Sequence, residues 1–194
     1  MSRFSVAFVV ILLSLSSLSS AQMIGEQQAP TTWDLFGGVS WMRSTSNPDP
    51  TNGYGWHTSV SERPYVSLPW VGGTIEASGA YFNRSLMVNQ TNVTMSEAAY
   101  SFMAGPLVSL PYRRVQPFAH VLLGALVDKT AVGIGGASTS SSTTDFAYAL
   151  GGGVDVPLSY RWSIRTQADW MRFHASDVNS TDAVRVSAGA VVKF

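Results

Sequence analysis

The stretch AVRVSAGAVVKF, residues 183–194, alternates strictly in side-chain character. Val184, Val186, Ala188, Ala190, Val192 and Phe194 fall on one face, and Arg185, Ser187, Gly189, Val191 and Lys193 on the other. Side chains of a strand point alternately to opposite sides, so one face suits lipid and the other water. An aromatic final residue on such a strand is the ending expected of a membrane-spanning β-barrel, in which Phe194 acts as the signal that the assembly apparatus reads.

The opposite end agrees. Residues 1–21 carry one positive charge at Arg3, an apolar run from Val6 to Leu15 and the small residues Ser19-Ser20-Ala21, the layout of a cleavable secretory signal. The run is shorter than the roughly 20 residues that a helix needs to cross a bilayer. The expected organisation is therefore a signal peptide at 1–21, a polar leader at 22–31 and one barrel domain at 32–194.

Composition narrows the function classes. The chain has no cysteine, 12% charged residues and a formal net charge of +0. That excludes a disulfide scaffold and thiolate metal sites, and it leaves no basic field to attract nucleic acid. A mean hydropathy of +0.12 without a long apolar run in the mature part is what alternating lipid-facing strands produce.

TWDLFGGVSWMR, residues 32–43, repeats the pattern: Trp33, Leu35, Gly37, Val39 and Trp41 share a face, opposite Asp34, Phe36, Gly38, Ser40 and Met42. Eight steps separate the tryptophans, which at about 3.3 Å per residue and a tilt near 40° places them roughly 20 Å apart along the axis, near the spacing of two interfacial girdles. Residues 160–173 give the same arithmetic with Trp162 and Trp170, opposite Arg161, Ser163, Arg165, Gln167 and Asp169. Tyr81 joins Trp33, Trp41, Trp162 and Trp170 in the expected girdles. Further strands are expected at 54–66, 70–82, 94–110, 115–127 and 145–158, with Leu122 and Leu126 blurring the alternation of the fifth. The sum is an all-β, antiparallel up-and-down barrel of about eight strands. Stretches 44–53, 83–93, 129–144 and 174–182 read as long polar loops on one rim, with 133–144 low in complexity and mobile. The joints around Leu68, Tyr112 and Ser159 read as short turns on the periplasmic rim.

TWDLFGGVSWMR at 32, MAGPLVSL at 103, RVQPFAHVLLG at 114, FAYALGGGVDVPLSYRWSIRTQADW at 146 and VRVSAGAVVKF at 184 together resemble the small outer-membrane β-barrel proteins of the OmpA and OmpX type, in particular a group common in soil acidobacteria. The resemblance implies a Gram-negative outer-membrane location in the cell envelope and little about activity. Residues 62–69 depart from it, where a turn looks expanded and the second strand is hardest to trace.

An eight-stranded barrel is narrow enough for side chains to fill it. Glu76, Glu97, Asp155, Arg165, Asp169, Arg185 and Lys193 fall on inward faces with mixed sign, and buried charges must be paired, so they are expected to plug the lumen as one network. His57 and Ser59 share a face and could serve as base and nucleophile toward a lipid, but spacing identifies no orienting acid. His120, amid Ala and Leu, reads as a satisfied lumen histidine. Asp49, Asp128, His174 and Asp177 lack metal-ligand spacing, so neither metal nor other cofactor is expected. Gly151, Gly152 and Gly153 lie within a strand, where close packing or a bend explains them.

The expectation is a monomeric, non-enzymatic barrel with a structural or surface-interactive role. Its expected partners are outer-membrane lipids and lipopolysaccharide, the barrel-assembly machinery and periplasmic chaperones, with no nucleic acid. The alternatives are a narrow porin-like channel, a lipid A-modifying hydrolase using His57 and Ser59, and a soluble lipocalin-like barrel with its faces inverted.

Overall fold

The structure, a computed structural model, describes residues 31–45, 51–64, 70–88, 91–110, 112, 114–134, 137–174 and 180–194. The signal peptide and leader expected at 1–31 lie outside these except for Thr31. Eight strands run in chain order: β1 Thr31–Ser44, β2 Thr51–Pro64, β3 Trp70–Val88, β4 Thr91–Ser109, β5 Gln116–Ile134, β6 Ala137–Pro157, β7 Trp162–His174 and β8 Ser180–Lys193. Each pairs antiparallel with its neighbour, and β1 with β8, closing the barrel. Closure leaves no edge within the membrane-height wall, which a bilayer requires because lipid offers no hydrogen-bond partners. The last residue completes the seam: Phe194 N–H donates to the Trp33 carbonyl at 2.9 Å, and Trp33 N–H returns the bond at 3.3 Å.

The alternation sets the faces as expected. Trp33, Leu35, Val39, Val71, Ile75, Tyr81, Phe102, Val121, Leu150, Trp162, Ile164, Trp170, Val184 and Val186 are exposed on the outer wall, Val39 by as much as 71%. Asp34, Phe36, Ser40, Glu76, His120, Asp155, Arg165, Asp169 and Arg185 are buried inside. This excludes the soluble, lipocalin-like arrangement, which would put apolar residues inside and polar ones outside. Trp41 shares the outer face and is half-buried. No helix among the described residues is long and apolar enough to cross a membrane.

Two expectations need correction. The second strand, expected at 54–66, runs to Pro64 and begins earlier, at Thr51, pairing with β1 from Thr31↔Pro64 to Ser44↔Thr51, so residues 51–53 belong to the wall and not to the loop expected at 44–53. The stretches 83–93 and 129–144, expected as loops, are mostly strand. β3 and β4 pair out to Val88↔Thr91 and β5 and β6 out to Ile134↔Ala137. Both stretches lack proline and charge runs, and a ladder satisfies their backbone groups as well as water does. The serine-threonine tract at 137–144 is therefore strand rather than a mobile segment.

The overrun is confined to four strands. Among the described residues, β2 pairs with β3 as far as Tyr54↔Tyr81, and β7 pairs with β6 as far as Phe146↔His174. Beyond those levels β3, β4, β5 and β6 continue together as a sheet that stands above the rim opposite the chain ends. Its two outer edges, Phe82–Val88 of β3 and Ala137–Asp145 of β6, have no strand partner on their open sides among the described residues.

Candidate functional site in the barrel lumen

Inward-facing residues form two charged tiers and an apolar layer. The tier nearer the chain ends takes Asp34 from β1, Arg63 from β2, Asp155 from β6 and Arg165 from β7. Arg165 grips Asp155 with two bonds, Nε to Oδ1 at 2.7 Å and Nη2 to Oδ2 at 2.8 Å. Arg63 Nη2 donates to Asp155 Oδ2 at 3.0 Å, and its Nε stands 3.1 Å from Asp34 Oδ2. The planar guanidiniums also lie against aromatic faces: Arg165 is 4.6 Å from the Phe118 ring centre and 5.4 Å from that of Phe36. Such stacking suits arginine because its cation is weakly hydrated. Two cations meet two carboxylates, so this tier is balanced. Lys193 sits at its margin, donating to Gln116 Oε1 at 2.8 Å.

The second tier is built from β2, β3, β5, β7 and β8. Arg185 Nη2 reaches Glu76 Oε2 at 2.7 Å and Asp169 Oδ2 at 2.6 Å, and Nη1 donates to Ser78 Oγ at 2.9 Å. His57 bridges Glu76 Oε2 through Nε2 at 2.9 Å and Ser187 Oγ through Nδ1 at 3.0 Å. His120 Nε2 contacts Asp169 Oδ1 at 2.8 Å, and Gln167 Nε2 donates to Asp169 Oδ2 at 3.0 Å. Glu76 and Asp169 face one guanidinium, so this tier carries one negative charge more than Arg185 neutralises. Gly151 makes room for it: a Cβ there would collide with the Asp169 carboxylate. That close approach accounts for the glycine within the strand.

Above these tiers, toward the projecting sheet, the lumen becomes apolar. Met42, Phe82, Leu122, Leu126, Met171, Phe173 and Ala183 belong to a single buried cluster that also takes in Met103. The blur at Leu122 and Leu126 has this cause: they point inward, into an apolar layer rather than the expected all-polar filling.

Of the residues assigned to the lumen network, Glu76, Asp169 and Arg185 meet in one tier and Asp155 and Arg165 in the other. Lys193 reaches only the margin. Glu97 lies apart near the far rim, where it hydrogen-bonds Asp128. Sequence reasoning left Asp34, Arg63, Gln167 and Ser187 unassigned, although Asp34 and Gln167 lie on inward faces that the alternation marks. His57 and Ser59 do not form a dyad. Ser59 Oγ accepts from Arg165 Nη1 at 3.4 Å, and His57 turns instead to Ser187 and Glu76. The resulting Ser187–His57–Glu76 line resembles a catalytic triad in connectivity, but all three are at most 3% exposed, so a lipid carbonyl has no route to Ser187.

The aromatic residues assigned to girdles lie at two levels of the outer wall. Trp33 and Trp162 lie near the rim of the chain ends. Trp41, Tyr81 and Trp170 lie near the other, where Tyr148 packs edge-on against Trp170 and Tyr81 against Tyr100.

No curated protein sequence matches the chain. Solved structures do. The attachment invasion locus protein Ail of Yersinia pestis is similar over 84% of this chain and 98% of its own, with 21% identity and a TM-score of 0.58. Neisserial surface protein A is similar over 84% and 97%, with 13% identity and a TM-score of 0.59. A major outer membrane protein from Thermus thermophilus is similar over 85% and 100%, with 10% identity and a TM-score of 0.65. All three share the fold. The family model described as outer membrane protein beta-barrel domain matches residues 8–194, and the chain belongs to that family of the bacterial outer membrane.

Proposed function

We propose that this protein is a non-enzymatic surface-interaction barrel whose working part is the projecting sheet of β3–β6. The observation that carries this reading is the pair of strand edges raised above the rim that have no strand partner among the described residues. An unpaired edge is a row of free N–H and C=O groups, and an extended segment of a protein partner can add to it as a further strand. The likeness to a protein named for attachment and invasion points the same way. The closed barrel serves as a rigid footing, with the projecting rim outside the cell and the chain ends in the periplasm.

The remaining partners follow from the wall and the seam. Outer-membrane lipids and lipopolysaccharide cover the apolar belt, and the barrel-assembly machinery and periplasmic chaperones handle the terminal strand ending in Phe194. The protein acts as a monomer and binds no nucleic acid. A channel role is disfavoured because the paired charges and the apolar layer fill the lumen, and a hydrolase role because Ser187 and Ser59 are sealed inside.

Proline substitutions along the β6 edge test the reading. Ser140 and Ser141 are adjacent, so one N–H points to β5 and the other to the open side. In vesicles displaying the barrel to an array of immobilised strand-forming peptides, one of Ser140→Pro and Ser141→Pro should abolish binding while leaving the hairpin folded. Binding unchanged in both variants, or no peptide bound by the natural chain, refutes edge addition.

A further inference from the structure

The second lumen tier contains an arrangement that its ion pairs do not complete. His120 is 3% exposed, and its Nδ1 has no hydrogen-bond partner. Its Nε2 is engaged by Asp169 Oδ1 at 2.8 Å, while Nδ1 is directed at Glu76 Oε1 across 3.7 Å. That gap is too long for an N–H···O bond, whose range ends near 3.2 Å. Two ligands bound to one ion at about 2.0–2.1 Å in tetrahedral geometry stand roughly 3.3–3.4 Å apart, so a small inward shift of either side chain brings the pair to that separation. One donor atom each from Glu76, His120 and Asp169 lie within 4.8 Å of one another, all three residues buried.

We propose that this tier binds one divalent cation of the zinc class, ligated by His120 Nδ1 and Glu76 Oε1. Three features of the surroundings fit. Asp169 accepts from the far nitrogen of His120, the carboxylate–histidine pairing that fixes the ring and raises its basicity at metal sites. Arg185 holds Glu76 by Oε2 and Asp169 by Oδ2, which orients both carboxylates and leaves Oε1 uncommitted to it. Glu76 and Asp169 share the single guanidinium of Arg185 in a buried tier, where an added cation beside the carboxylates is stabilising. Gln167 donates through Nε2 to both carboxylates, and its Oε1, which has no hydrogen-bond partner among the described residues, is the next oxygen donor once the carboxamide turns over. Nitrogen and oxygen donors without sulfur suit zinc, cobalt, nickel or copper. The sequence suggested no metal because the two ligands come from different strands, β3 and β5, and their supporting carboxylate from β7, with no local spacing.

Because the lumen is closed, the ion enters as the barrel folds. The test is to refold the untagged chain into detergent with Co²⁺, remove free metal by gel filtration, and measure bound cobalt and its visible absorption. One cobalt per chain with tetrahedral bands is expected, lost in His120→Ala and in Glu76→Gln, and retained in His174→Ala at the exposed rim. Asp169→Asn should weaken affinity about 10–100-fold. A natural chain that folds, by gel shift, yet holds no cobalt overturns the proposal. Cobalt retained undiminished in His120→Ala overturns it equally, and the readout on the natural chain stands even if a variant fails to fold.

Discussion

Replacing Arg185 with leucine should be among the most damaging single changes in this barrel. The guanidinium is 1% exposed and makes four close contacts: 2.6 and 2.9 Å to Asp169 Oδ2, 2.7 Å to Glu76 Oε2 and 2.9 Å to Ser78 Oγ. Leucine fills part of the volume but strands two carboxylates together in a medium that hydrates neither. Removing one partner of a buried pair costs about 3–5 kcal/mol, most of it the penalty on the charge left behind. The assay is equilibrium urea unfolding in lipid vesicles, read by the gel shift between folded and heated forms. The triple change Arg185→Leu, Glu76→Gln and Asp169→Asn removes the stranded charges and should recover part of the loss. Arg172→Met is the control. Its ion pair with Asp182 is as short, at 2.6 Å, but about a third exposed, and solvent screening makes such pairs weak, so its midpoint should stay near that of the natural chain. A loss for Arg185→Leu below about 1 kcal/mol, the size of an exposed pair, refutes the view that paired charges hold the lumen.

Two other changes probe the walls of the same lumen. Gly151→Ala places a methyl group against the Asp169 carboxylate and should cost about 1–3 kcal/mol by overpacking; an unchanged midpoint would show that Asp169 moves freely. Ala188→Arg puts a charge on the outer wall opposite Thr166, midway between Trp162 and Trp170, and should cost about 2–4 kcal/mol in vesicles. The same substitution at Thr144, on the projecting sheet, should leave the unfolding midpoint unmoved, and equal losses at both sites would contradict the placement of the membrane.

What the sequence reveals follows from which physics is local. The period of two is local, so Trp33 against Asp34 and Trp170 against Asp169 could be assigned to faces without coordinates. Loop boundaries were less legible because serine and threonine serve strands and loops alike, and the tract at 137–144 becomes strand only through pairing with 127–134 of β5. Arg63 escaped notice because Pro64 and Pro69 made its surroundings look like a turn, although β1 offers it a full ladder. The tier of His57, Glu76, His120, Asp169 and Arg185 is set by strand register and barrel closure. Nothing in the spacing of residues 57, 76, 120, 169 and 185 announces that their side chains converge.

A lumen filled by paired charges and an apolar layer makes this outer-membrane barrel closed inside, as the proposed surface role requires. Planar-bilayer recording of the refolded natural chain tests it most directly. The paired tiers and the apolar layer predict a flat current at moderate voltage across many insertions, verified by gel shift as folded. Regular, reproducible conductance steps from the natural chain would mean a continuous wet path through the lumen, and would contradict the account.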